Sequence, residues 1–199
     1  MRTSENFWIV TLLRGLLAIV LGTAILVVPD LARTPLLTAL AEDVAALSLV
    51  IYGVLDSTLV LISSFAMPIG SIRPALRIQS ICGMCIGILF WFILFDKIQL
   101  HWFLYLIAIQ AAATSYAEHA IARHTSRAHG SRLFYLGAWI TLVAAIAYAG
   151  IAAAASDSLS TRQISFAAYA YLGAFGLGQV MMATRVLFRA GRAGRLRHV

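Results

Sequence analysis

The sequence predicts an all-α, polytopic membrane protein whose six transmembrane helices form three helical hairpins in one domain, residues 1–199. Composition is the first reason: 61% of the residues are hydrophobic, 12% are charged and mean hydropathy is +0.89, whereas about a quarter of a globular chain is charged. The second reason is that long apolar stretches alternate with short breaks of charged or turn-forming residues. The third is that the basic residues concentrate on one side of these stretches.

The first apolar stretch, residues 7–28, has the sequence FWIVTLLRGLLAIVLGTAILVV and ends before Pro29-Asp30. Roughly 22 helical residues at about 1.5 Å each reach about 33 Å, enough to cross a hydrocarbon core of about 30 Å. The stretch is longer than the apolar region of a signal peptide, and further stretches follow it. We therefore expect it to be a retained transmembrane helix.

Five more spans follow the first, and short links between them favour antiparallel neighbours. They are predicted at 44–65, 76–95, 101–121, 133–155 and 164–187. The resulting hairpins cover about 7–65, 76–121 and 133–187, and a basic tail occupies 189–199.

The distribution of basic residues predicts the orientation. Three of the 15 basic residues fall on one side of the predicted spans: Arg33, Lys97 and Arg162. The others fall on the opposite side: Arg2, Arg14, Arg73, Arg77, Arg123, Arg127, Arg132, Arg185, Arg189, Arg192, Arg195 and Arg197. Because basic loops stay in the cytoplasm, both termini are expected there, with the tail touching anionic lipid head groups. No nucleic-acid partner is expected, since no soluble recognition module accompanies the tail.

The first hairpin carries a family resemblance. Its first span has an aromatic entry, a Leu-Arg-Gly tripeptide, a spaced glycine and a closing proline, namely Trp8, Leu13-Arg14-Gly15, Gly22 and Pro29. Its second span has Tyr52-Gly53 followed by Asp56, with Ser57 at a position where a glycine is expected. These features resemble the HdeD-like acid-resistance membrane proteins. The resemblance implies a six-span, multi-pass protein of the bacterial inner (cytoplasmic) membrane that is linked to acid stress, and it implies no catalytic residue.

Arg14 and Asp56 are two charges inside apolar spans, where an unpaired charge costs at least a few kcal/mol. Counted from the cytoplasmic ends of antiparallel spans, their depths agree to within about 3 Å. We expect a structural ion pair between the first two helices. A proton- or ion-handling role is the alternative, but a relay would need further acids in line, and the sequence lacks them.

A second polar cluster is predicted from Glu118, His119 and Arg185 near the cytoplasmic side. Glu118 is expected to form an ion pair with Arg77, Arg123 or Arg185. A lone membrane histidine could ligate haem, a chlorophyll-type pigment or a metal, but it is a weak signal. We therefore expect no metal site and no cofactor.

Small residues are expected to bring helices close together, at Gly83, Gly87, Gly173 and Gly176. Cys82 and Cys85 match C-x-x-C, but a position in the middle of an apolar span favours inert thiols, and the sequence does not set their redox state.

No Ser-His-Asp order, phosphate-binding glycine loop or zincin helix occurs, so we expect no enzyme. The expected function, which rests on the resemblance, is that of a non-catalytic inner-membrane protein linked to acid or envelope stress. One alternative is an accessory or assembly subunit of a larger membrane complex, or a homo-oligomer, joined through small-residue faces. Another is a proton or small-solute transporter, although the four prolines lie in loops or at span ends rather than in broken helices.

Overall fold

The computed structural model contains six helices and describes residues 5–31, 35–67, 72–96, 101–124, 131–155 and 161–195. The helices are α1 (Glu5–Leu31), α2 (Pro35–Ala66), α3 (Ile72–Asp96), α4 (His101–His124), α5 (Ser131–Ala155) and α6 (Thr161–Arg195). The predicted all-helical fold is confirmed for these residues. The last four residues of the predicted tail, 196–199, lie outside them.

All six helices extend beyond the predicted spans, and α1 continues through Pro29 to Leu31 instead of ending before that proline. The largest extensions are those of α2, α3 and α6. α2 begins at Pro35 and α3 at Ile72, with Pro74 in its first turn. Proline is tolerated in the first turn because the amides there have no partner within the helix, so neither proline delays the helix start. α6 continues to Arg195, and most of the predicted tail is therefore helical.

Within the part of the chain that the structure describes, five helices are long and apolar enough to cross a membrane, which confirms a multi-pass membrane protein in outline. The candidate spans are Phe7–Val27, Leu47–Phe65, Ile72–Phe92, Ser131–Ala154 and Ser165–Phe188.

The predicted fourth span, within α4, is not among these five. α4 has 24 residues, so at about 1.5 Å each it is long enough to cross the hydrocarbon core. Its hydropathy is lowered by polar residues on its buried side, including Gln110, Thr114, Ser115 and Glu118. Polar side chains in membrane helices face the protein interior. A sixth span at α4 accordingly stays a prediction.

Neighbouring helices in the chain pack against each other from α1 through α5, and α6 packs along α1. α5 and α6 form the third predicted hairpin, but they contact each other at few positions, as do α4 and α6. The bundle is therefore closely packed except between α5 and α6, where a cleft remains with α4 at its base.

The core consists of two apolar clusters. One cluster includes Trp8, Phe134 and Met182, and the indole of Trp8 lies 5.5 Å from the Phe134 ring. The other includes Phe90 and Phe103, whose rings stack with centroids 5.0 Å apart. Between the two clusters lies a layer of buried polar side chains, and this layer contains the candidate site.

Candidate functional site

The polar layer consists of buried side chains that interrupt apolar helices at similar depths. Its members are Arg14, Asp56, Ser57, Gln79, Ser80, Gln110, Thr114, Ser115, Glu118, Thr141 and Gln179. Several of them bridge neighbouring helices: Gln79 Nε2 donates to Thr114 Oγ1 at 3.0 Å, and Ser80 Oγ donates to the carbonyl oxygen of Ser57 at 2.8 Å. Away from water, such bonds satisfy groups that would otherwise be costly to bury.

Arg14 and Asp56 meet in the middle of this layer. Arg14 Nε donates to Asp56 Oδ1 at 2.7 Å, and Arg14 Nη2 donates to Asp56 Oδ2 at 3.1 Å. The residues are 7% and 1% exposed. The guanidinium also lies 5.5 Å from the centroid of the Phe175 ring on α6, within cation–π range. A buried, bidentate contact of this kind fixes the relative depth and rotation of α1 and α2.

Glycines let the helices around this pair approach closely. At Gly15 a Cβ would lie 2.8 Å from the carbonyl oxygen of Gly176, and at Gly176 a Cβ would lie 2.7 Å from the carbonyl oxygen of Gly15. On the other side, a Cβ at Gly53 would lie 3.0 Å from Gly87 Cα, so α2 and α3 also cross backbone to backbone. Such contacts supply the dispersion energy that joins helices in lipid.

The other two glycines predicted to pack differ from each other. A Cβ at Gly83 would overlap Ser57 Oγ on α2, so alanine would fit at this position only if the Ser57 side chain turned away. At Gly173 the nearest atom to an added Cβ is Tyr169 Cε2, at 3.9 Å in the same helix, which is an ordinary van der Waals contact. The close approaches of α6 to α1 thus lie at Gly176, which faces Gly15, and at Leu172, whose Cβ would lie 3.0 Å from a Cβ at Gly22.

The predicted second polar cluster does not come together. Glu118 is 4% exposed and its Oε1 accepts a hydrogen bond from Gln179 Nε2 at 2.7 Å. The His119 ring meets Tyr135 edge-on, with centroids 5.3 Å apart, and Arg185 is exposed. Arg185 lies six residues beyond Gln179, which is about 9 Å farther along α6. Because successive helical residues point about 100° apart, Arg185 also lies on a different face of α6 from Gln179. Within the described residues, Glu118 forms no ion pair with Arg77, Arg123 or Arg185.

Three polar atoms of the layer have no hydrogen-bond partner: Ser57 Oγ, Gln110 Oε1 and Glu118 Oε2. The first two both lie next to the position that a Cβ at Gly83 would take. Glu118 Oε2 lies next to Gly137 of α5, where a Cβ would be 2.8 Å away. Glu118 and Gly137 both line the cleft between α5 and α6, which has a cavity volume of about 210 Å³.

The thiols of Cys82 and Cys85 are free, the first half-buried and the second exposed on the outer face of α3. Among the residues that the structure describes, no three His, Cys, Asp or Glu side chains lie close enough together to hold a metal ion.

Sequence reasoning missed most members of the polar layer, among them Gln179 and Thr141, which line the cleft together with Glu118. Both interrupt apolar stretches with a polar side chain, which is the same signal that identified Asp56. Comparison with known proteins adds no relative, because no family model, curated protein or solved structure matches the chain. The residues are therefore interpreted from their geometry.

Proposed function

We propose that the chain is a non-catalytic, HdeD-like protein of a bacterial inner membrane that acts in the response to acid or envelope stress. In this proposal six helices span the membrane, both termini are cytoplasmic and the basic end of α6 lies against anionic lipid head groups. The HdeD-like resemblance of the first hairpin supports the stress role, and the one-sided distribution of basic residues supports the orientation.

One observation carries the proposal: four of the residues that define the resemblance lie together at one level of the bundle. Arg14 bonds Asp56, Gly15 touches α6, and Gly53 touches α3. All four positions hold helices together. The side chains of Arg14 and Asp56 bond each other, so neither is available to act on a substrate. This arrangement favours a structural role over a catalytic one for the residues that carry the resemblance.

Reporter fusions test the orientation and the sixth span. Alkaline phosphatase, which is active outside the cytoplasm, is fused after Asp96, after Arg127, after Asp157 and at the C-terminus, with a fluorescent protein that folds in the cytoplasm as the converse reporter. We expect phosphatase activity at Asp96 and Asp157 and fluorescence at Arg127 and the C-terminus. If α4 does not cross the membrane, Arg127 will report the same side as Asp96, and the six-span proposal is wrong.

An acid-challenge experiment tests the role in stress. We expect that deleting the gene in its own host lowers survival after a shift to acid, and that the wild-type chain restores it. A Gly178→Ala chain is expected to restore survival as well as the wild-type chain, because nothing lies within 4 Å of a Cβ at that glycine. Unchanged survival of the deletion strain under both acid and membrane-disrupting stress would reject the proposal.

A subunit of a larger membrane complex is the second candidate, and the outer face of α5 favours it. Of the five candidate spans, the one in α5 is the least buried, with 22% of its apolar segment inside the bundle. Its outer face presents bulky side chains, including Trp139, Val143 and Ile146, each more than 60% exposed. A stoichiometric protein neighbour in the native mass spectrum of the gently solubilised protein would replace the first proposal with this one.

A further inference from the structure

The cleft between α5 and α6 has apolar walls and a carboxyl group at its base. Its walls include Ile140 and Tyr148 from α5 and Tyr171 and Phe175 from α6. The Tyr148 and Tyr171 rings meet edge-on with centroids 6.0 Å apart, and Tyr171 stacks on Phe175 at 6.2 Å. An apolar cavity with aromatic walls and a few convergent polar groups is a typical small-molecule site, and the one carboxyl group among them would orient a ligand there.

Glu118 supplies that polar group. Its Oε1 accepts the hydrogen bond from Gln179, while its Oε2, although buried, has no partner. The hydroxyl of Thr141 also lines the cleft and lies close enough to Glu118 to interact with it, but its single proton is directed to the carbonyl oxygens of Gly137 and Ala138 in its own helix. Leaving a carboxylate oxygen buried without a donor is costly, so a donor from outside the chain would be favoured.

The charges of the interior indicate the kind of donor. The buried charged residues that the structure describes are one guanidinium, Arg14, and two carboxyl groups, Asp56 and Glu118. The side-chain bonds of Arg14 go to the two oxygens of Asp56, and its charge reaches Glu118 only at longer range, without a hydrogen bond. An ionised Glu118 therefore lacks a bonded positive charge in a region of low dielectric, where such a charge is strongly favoured.

We infer that the cleft between α5 and α6 binds a lipophilic amine, whose ammonium group donates to Glu118 Oε2 and whose apolar body lies between the two helices. The aromatic rings of Tyr171 and Phe175 add a favourable surface for the cation. Ile140, Ala170 and Ala174 line the cleft and are exposed, so the ligand can enter sideways from the acyl chains. Gly137 keeps open the space next to Oε2 that the ammonium group would occupy. This site is independent of the proposed role in stress.

Equilibrium dialysis of the full-length protein in phosphatidylcholine nanodiscs tests the inference, with radiolabelled decylamine as the probe and empty nanodiscs as the background. We expect saturable binding of one decylamine per chain and at least about tenfold weaker binding to Glu118→Gln, which loses a charge-assisted hydrogen bond. Gly137→Ala is expected to weaken binding as well, because its methyl group would lie against Oε2. Gly150→Ala, on the same helix with nothing within 4 Å of its Cβ, is the matched control and should bind like the wild type.

Each other outcome overturns the inference. Equal binding to the wild type and Glu118→Gln would mean that decylamine only partitions into the bilayer. Equal competition by decanol and decylamine would mean that the site takes a neutral hydroxyl donor rather than a cation. Because Glu118→Gln retains the size and an acceptor for Gln179, its melting temperature should stay close to that of the wild type. If it does not fold, Gly137→Ala compared with Gly150→Ala decides the question.

Discussion

Asp56→Ala is expected to lower the free energy of unfolding by about 3–5 kcal/mol, the cost of removing one partner from a buried ion pair. The substitution leaves the Arg14 guanidinium without its carboxylate, at 7% exposure and about two helical turns from the start of the candidate span Phe7–Val27. The Phe175 ring already contacts the guanidinium in the wild type, and a desolvated cation–π contact contributes only about 2 kcal/mol, so the ring does not replace the lost carboxylate. Unfolding by a denaturing detergent, followed by the loss of helical circular dichroism, measures the effect.

Thr58→Val is the matched control for this experiment. Thr58 lies on α2 two residues from Asp56, and its hydroxyl bonds the carbonyl oxygen of Val54 in the same helix. Its replacement should therefore change the free energy of unfolding by no more than about 0.5 kcal/mol. An Asp56→Ala chain as stable as the Thr58→Val chain would show that the ion pair does not hold α1 and α2 together.

Gly15→Ala is expected to lower the free energy of unfolding by about 1–3 kcal/mol, the usual range for overpacking a close contact. The added Cβ would lie 2.8 Å from the carbonyl oxygen of Gly176 and 2.9 Å from the amide nitrogen of Val180. Both atoms belong to the backbone of α6, so the two helices have to move apart rather than a side chain turning away. Gly176→Ala should have a similar effect, because its Cβ would lie 2.7 Å from the carbonyl oxygen of Gly15.

Gly178→Ala separates this steric effect from the change in helix propensity. It lies two residues from Gly176 on α6, and nothing is within 4 Å of its Cβ. Alanine favours helix over glycine by about 1 kcal/mol, so this variant should be as stable as the wild type or slightly more stable. If Gly15→Ala and Gly178→Ala have the same stability, the close crossing of α1 and α6 is not a source of stability.

The helices and the contact between Arg14 and Asp56 could be predicted from the sequence because both follow from the bilayer. Length and apolar composition identify helices that can cross it, and its low dielectric requires a buried charge to find a partner. Counting residues from the span ends gives the depth of each charge, and these two charges have no competitor at the same depth on the first two helices. Depth in the span alone was therefore sufficient to identify Arg14 and Asp56 as partners.

The surroundings of Glu118 could not be predicted in the same way. Depth made Arg77, Arg123 and Arg185 equally suitable partners, but the direction in which Glu118 points depends on how α4 is rotated between its neighbours. In the structure it points toward α6, where Gln179 reaches it, and Arg185 points away. The cleft is also invisible in the sequence, because short connections suggest that α5 and α6 pack together, whereas α6 packs on α1.

The most direct test of the account is a double-mutant cycle on Arg14 and Asp56, using leucine at both positions to keep the volume apolar. Because a buried ion pair can be replaced by well-packed apolar residues at little cost, we expect the double variant to approach wild-type stability. Each single variant should be less stable by about 3–5 kcal/mol, and the two losses should not add. If the loss in the double variant equals the sum of the single losses, the two side chains act independently and the ion pair does not organise the bundle.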